Sequence, residues 1–93
     1  MTIPELERLR QSIDDVDQQI LDLIRERVRL VLEVGDLKRE RDMQVYDPER
    51  EQQLLDRLAA QAKPPLDGET VARVFQRLVE ESRRLEQEHM RRG

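Results

Sequence analysis

The chain has 93 residues, no cysteine, no tryptophan, one tyrosine and one phenylalanine, with 41% charged and 37% hydrophobic residues and a net charge of −4. This length suits a single domain, the missing cysteines exclude disulfides and thiolate chemistry, and two aromatics leave little to stack on sugars or bases. The acidic balance argues against a general nucleic-acid binder, no apolar run approaches the ~20 residues of a membrane span, and no signal-peptide segment opens the chain, so a soluble cytoplasmic protein with a thin, elongated core is expected. Of the 17 basic residues 15 are Arg, and the only lysines are Lys38 and Lys63. An acidic protein can still hold an anionic ligand where a few arginines converge.

Taken in chain order, Thr2-Ile3-Pro4-Glu5 reads as a capping box. Leu6, Leu9, Ile13, Val16, Ile20, Ile24, Val31 and Val34 then recur at spacings of three and four, which predicts one long helix from about Ile3 to Arg41, with Gly35 as an internal weak point. Asp42-Met43-Gln44-Val45-Tyr46 is a loop. Asp47 followed by Pro48 reads as an N-cap and first helical position, opening a short helix to about Gln61. The Lys63-Pro64-Pro65-Leu66-Asp67-Gly68 run breaks it, and a third helix follows from about Glu69 to Glu88, with Val71, Val74, Phe75, Leu78, Val79 and Leu85 on its apolar side. His89 to Gly93 are expected to fray, leaving His89 solvated. The fold class is therefore all-α, with three helices. The first would span roughly 58 Å, while a compact chain of this size has a radius of gyration near ~12 Å. One long helix and two short ones cannot cover that stripe, so an intertwined homodimer is expected. The stripe lacks sustained heptads and matched flanking charges, which sets aside a plain coiled coil.

Polar residues occupy some of the core phases. The stripe of the first helix continues from Ile24 to Arg27, Val31, Val34 and Lys38. Either cation alone reads as a side chain snorkelling to water; together on one face, about 16 Å apart, they read as a clasp for an anion. Arg10 lies about 25 Å before Arg27 along the axis and cannot reach the same ligand within one chain. It is either a solvated arginine or, in an antiparallel dimer, a contributor to the partner's ligand. In the second helix Asp47 and Glu51, four apart with Arg50 beside them, form an acidic wall or simply complement the helix dipole. In the third, Ser82 and Glu86 continue the phase of Phe75, Leu78 and Val79, and a Glu on an apolar face is a candidate for a raised pKa. Asp14, Asp15 and Asp17 lack the spacing of a calcium loop. Without an interior His or Cys, nucleophile-plus-base catalysis has no evident cast.

Together these residues resemble the all-helical (AroQ) class of chorismate mutases. The runs that carry the resemblance are Leu9-Arg10-Gln11-Ser12-Ile13-Asp14-Asp15-Val16-Asp17, Leu23-Ile24-Arg25-Glu26-Arg27, Val34-Gly35-Asp36-Leu37-Lys38 and Val45-Tyr46-Asp47-Pro48-Glu49-Arg50-Glu51, with Phe75 and Glu81-Ser82-Arg83 in the third helix. The runs cover nearly the whole of this sequence, so the resemblance is to a free-standing mutase, with no appended dehydratase, dehydrogenase or synthase domain expected. The resemblance implies the pericyclic rearrangement of chorismate to prephenate in phenylalanine and tyrosine synthesis, with no cofactor, no metal, and active sites shared across a homodimer. It also implies roles: Arg27, Lys38 and the partner's Arg10 on the two carboxylates, Lys38 and Glu86 on the ether oxygen, Asp47 and Glu51 on the ring hydroxyl, Arg50 supporting that wall, and Ser82 meeting a carboxylate. The family's best-known pattern has Gln where this chain has Glu86, though other members carry Glu. The rival enzyme of the same fold is an isochorismate pyruvate lyase, which should lack the two hydroxyl-binding acids. A rival of another class is a helical dimerisation or regulatory module without catalysis, in which the cations of the stripe would drift to apolar residues.

Overall fold

In the computed structural model, which describes residues 3–92, three α-helices follow one another: α1 (Pro4–Glu40), α2 (Pro48–Ala59) and α3 (Gly68–Arg92). Each boundary has a local cause. α1 opens at Pro4 with Ile3 as its cap residue, extended and without a side-chain acceptor, and the predicted cap Thr2 lies outside the described residues. Glu5 and Glu7 in the first turn and Lys38 and Arg39 in the last complement the helix dipole. α1 ends because Asp42 turns left-handed, at φ 56°. The Met43 N–H then donates to the Lys38 carbonyl at 2.7 Å and the Asp42 N–H to the Arg39 carbonyl at 3.3 Å, the paired bonds of a Schellman ending. The turn that bears Lys38 is thus held by the same residues that start the loop.

α2 begins as expected, with Pro48 in its first turn and Asp47 Oδ1 accepting from the Arg50 N–H at 3.1 Å. It stops at Ala59, slightly before the predicted Gln61. At the start of α3 Asp67 Oδ1 accepts from the Thr70 N–H at 2.7 Å, satisfying a first-turn donor that the helix itself cannot. The far end of α3 departs from expectation. It continues to Arg92 instead of fraying after Glu88, because tertiary contacts hold it: His89 Nε2 lies 2.8 Å from Asp36 Oδ1, and Arg39 Nη1 donates to the Met90 carbonyl at 3.2 Å. His89 is therefore half-buried against α1 and not a solvated terminal residue.

α3 is the shared partner, packing along α1 on one side and α2 on the other. Its most buried positions, Val79, Ser82 and Glu86, are spaced by three and four; Glu86 lies against Gly35, the buried residue of α1, and Leu55 is the buried residue of α2. Val74, expected on the apolar side, remains 60% exposed. Only Leu55 and Val79 are buried hydrophobics among the described residues, and they share the centre of the molecule with two polar residues, Ser82 and Glu86. The first five turns of α1 find no cover. Leu9, Ile13, Val16 and Ile20 are 48–63% exposed on one stripe. The dimensions agree: the long axis is 58 Å and the radius of gyration 17.2 Å, against about 12 Å for a compact chain of this length. Among the described residues no helix is long and apolar enough to cross a membrane.

Candidate active site

The C-terminal half of α1, the loop after it, the first turns of α2 and the middle of α3 enclose a cavity of about 190 Å³. Its α1 wall is Arg27, Val31, Val34 and Lys38, positions that helical steps of four, three and four put on one face. Arg27 Nη1 donates to Ser82 Oγ at 2.9 Å, and Ser82 Oγ donates in turn to the Leu78 carbonyl at 2.7 Å. Ser82 thus aims the guanidinium, and its own hydroxyl must rotate away from Leu78 before it can meet a carboxylate. Burial pushes the pKa of Arg27 down, and the nearby charge of Arg50 adds to this; a guanidinium nonetheless stays charged in a protein.

Lys38 Nζ donates to the Val45 carbonyl at 2.8 Å and stands 3.9 Å from Glu86 Oε2. An ammonium has three protons, so after Val45 two remain to be directed into the cavity. Glu86 is 5% exposed, and its Oε2 is the one buried side-chain polar atom among the described residues without a hydrogen-bond partner. Burial pushes its carboxyl above the ordinary glutamate range, Lys38 pulls it back, and the charge of Glu51 pushes it up again. An unpartnered carboxyl oxygen costs free energy in a closed protein interior, and it suits a carboxyl that keeps its proton to donate to something that enters.

Gly35 accounts for how this carboxyl fits. A Cβ at position 35 would stand 2.9 Å from Glu86 Cγ and 3.3 Å from Oε2, closer than the ~3.5–4.0 Å of ordinary carbon contact. The bare backbone of Gly35 is the seat of Glu86. A glycine read from sequence as a weak point in a helix is in fact a close approach between α1 and α3.

The opposite wall comes from the loop and α2. Asp47 spends one carboxylate oxygen on capping α2 while lining the cavity, so its capping and its wall position coexist. Arg50 lines the same side. Glu51 does not stand alone: Arg83 Nη1 lies 2.9 Å from both of its carboxylate oxygens, and the Arg83 guanidinium carbon sits 4.4 Å over the Tyr46 ring.

Of the predicted site residues, Arg27, Lys38, Asp47, Arg50, Glu51, Ser82 and Glu86 line this one cavity. Arg10 does not; it is exposed on the N-terminal half of α1. Sequence reasoning missed Gly35, Arg83 and the Val45 carbonyl. Arg83 had a signal, lying four after Val79 and three before Glu86 on the face that α3 buries; Gly35 had one as the only glycine in α1; the Val45 carbonyl had none. Among the described residues no three His, Asp or Glu side chains converge as metal ligands would.

A three-helix chain with a cation-rich pocket between one long helix and two short ones defines a class, the all-helical chorismate mutases. The chain belongs to the chorismate mutase type II family, which matches residues 9–87. It is 33% identical to the chorismate mutase of Methanocaldococcus jannaschii over 89 residues, covering 95% of this chain and 90% of that protein. It is 39% identical over 88 residues to the bifunctional chorismate mutase/prephenate dehydratase of Stutzerimonas stutzeri, covering 89% of this chain but only 24% of that longer protein. Among solved structures, the chorismate mutase of Helicobacter pylori in complex with prephenate superposes with a TM-score of 0.88 at 29% identity, over 96% of this chain and 97% of that one.

Proposed function

We propose that this chain is a chorismate mutase that converts chorismate to prephenate, and that it works as an intertwined homodimer with shared active sites. The observation that carries the reading is the largely buried Lys38–Glu86 pair, which lines the same open-mouthed cavity as Arg27. The reaction is a [3,3] shift within one molecule: the ether C–O bond breaks as a C–C bond forms, and no proton, electron or group leaves. The protein has two tasks, to hold a flexible dianion in its compact conformer and to stabilise negative charge growing on the ether oxygen.

Arg27 and Lys38 supply fixed positive charge for the carboxylates. Their positions on one face of one helix make the distance between them rigid. An ether oxygen accepts hydrogen bonds and donates none. Lys38 and the protonated carboxyl of Glu86 are the donors for it, already oriented before substrate enters; donors of this kind are worth about 2.7–4 kcal/mol of barrier each. Asp47 and Glu51 are acceptors suited to a ring hydroxyl. Arg50 supports that wall, and Ser82 acts chiefly by aiming Arg27.

The dimer and the role of Arg10 rest on the uncovered stripe. A second antiparallel copy laid along Leu9, Ile13, Val16 and Ile20 would bury it, and would bring the N-terminal half of its own α1, with Arg10, toward the mouth of this cavity. That supports Arg10 as a cation given across the interface. The test is direct: purified protein mixed with chorismate should consume it, followed by ultraviolet absorbance, with prephenate accumulating one for one. Chorismate that is stable in the presence of the folded protein refutes the reading.

A further inference from the structure

The contact between Arg83 and Glu51, with Tyr46 against it, brings three segments together. Arg83 comes from the middle of α3, Glu51 from the first turns of α2, and Tyr46, under the guanidinium, from the loop that follows α1. The ion pair is three-quarters buried or more on both sides, unlike the exposed pairs along each helix. One nitrogen, Nη1, spans both carboxylate oxygens at 2.9 Å, while the aromatic ring restrains the plane of the guanidinium. Each carboxylate oxygen has two acceptor directions, so this arrangement occupies one on each and leaves another on each for a group in the cavity. It also offsets a charge. An isolated Glu51 carboxylate would repel any anion held by Arg27 and Lys38, and the low local dielectric would enlarge that repulsion. Paired to Arg83, the same carboxylate is a fixed, largely neutralised acceptor.

We propose that Arg83 is a positioning residue that sets Glu51 to receive the substrate's ring hydroxyl and shields the substrate's carboxylates from Glu51, thereby selecting for substrates that carry a hydroxyl at that wall. The inference rests on the chorismate reading above. Arg83 does not itself touch the reacting atoms.

The experiment compares steady-state kinetics on chorismate for the unsubstituted chain, Arg83→Met, Arg83→Lys, Glu51→Gln and the Glu51→Gln/Arg83→Met double variant, with helix content and thermal midpoint recorded for each. Arg83→Met keeps most of the stem and removes the charge; kcat/KM should fall roughly tenfold or more, mainly through KM, because the repulsion acts already on bound substrate. Arg83→Lys should recover most of this loss, since in the native pair a single nitrogen spans both oxygens. In the Glu51→Gln background there is no charge to offset, and Arg83→Met should cost less than about threefold. If Arg83→Met does not fold, Arg83→Gln, which can donate to Glu51 without a charge, should show the KM loss instead. An equal loss in both Glu51 backgrounds, or Arg83→Lys as poor as Arg83→Met, or no loss at all, overturns the inference and leaves Arg83 as a helix-packing residue. No turnover by the unsubstituted chain overturns the proposed function, and the inference with it.

Discussion

Replacing Gly35 by alanine adds one methyl group to the inner face of α1, where its carbon would stand 2.9 Å from Glu86 Cγ and 3.3 Å from Glu86 Oε2. Restoring ordinary carbon contact requires Glu86 to retreat by about 0.6–1 Å, and because Glu86 is buried apart from the cavity that it lines, the retreat takes its carboxyl off its seat and into that cavity. Two effects oppose each other. Alanine in place of glycine inside a helix favours folding by about 1 kcal/mol, and overpacking a tight buried contact costs about 1–3 kcal/mol. The second should win, for a net loss of about 0–2 kcal/mol. In a Glu86→Ala background the contact no longer exists, so only the helix preference is left and Gly35→Ala should stabilise by about 1 kcal/mol. The same substitution therefore changes sign between backgrounds. Urea unfolding of the four chains at one fixed protein concentration reads it. Turnover is the more sensitive measure, because a displacement near 1 Å of a group that acts on the reacting bond lowers kcat on the order of 100-fold. If Gly35→Ala stabilises both backgrounds equally and kcat is unchanged, Gly35 does not seat Glu86 and the place of that carboxyl in the site is wrong.

Glu86 also makes activity depend on pH. It keeps its proton to higher pH in the folded chain than in the unfolded one, chiefly through burial; only the protonated carboxyl donates, so kcat/KM should fall as pH rises through its folded pKa, and Glu86→Gln should flatten that limb. Stability carries the same sign: between the unfolded and folded pKa values the native state binds more protons, so stability falls with rising pH, and Glu86→Gln should remove that slope in unfolding measured across the window. A profile level from pH 5 to 8 and unaltered by Glu86→Gln contradicts both. Glu51→Ala should lower kcat/KM by the equivalent of ~1–3 kcal/mol, since a substrate hydroxyl loses its acceptor and Arg83 its partner; unchanged kinetics would reduce Glu51 to a helix-dipole residue. Finally, Arg10→Ala and Lys38→Ala chains, each inactive, should regain turnover when unfolded together and refolded. Each heterodimer then has one site with both lesions and one with neither, approaching half the wild-type rate; heterodimers that form and stay inactive exclude a shared site.

Much of this molecule is present in residue order alone, where the governing physics is local. The α1 stripe, the Asp47–Pro48 start of α2 and the breaker before α3 depend on spacings and caps within a few residues, and so they are legible without a fold. Helical phase likewise places Arg27 with Lys38 and Ser82 with Glu86, because a regular helix converts sequence separation into direction. What phase cannot supply is which faces meet. Gly35 reads as a weak helix residue until α3 brings Glu86 against it. Arg83 reads as one more charged residue on α3 until α2 and the loop bring Glu51 and Tyr46 beside it. His89 reads as a fraying end until Asp36, 53 positions earlier, lies across from it. These three share one cause. Their environments are built from segments far apart in the chain, and the energy of a buried contact depends on the partner's position in space, which only the packing of α3 on α1 and α2 determines.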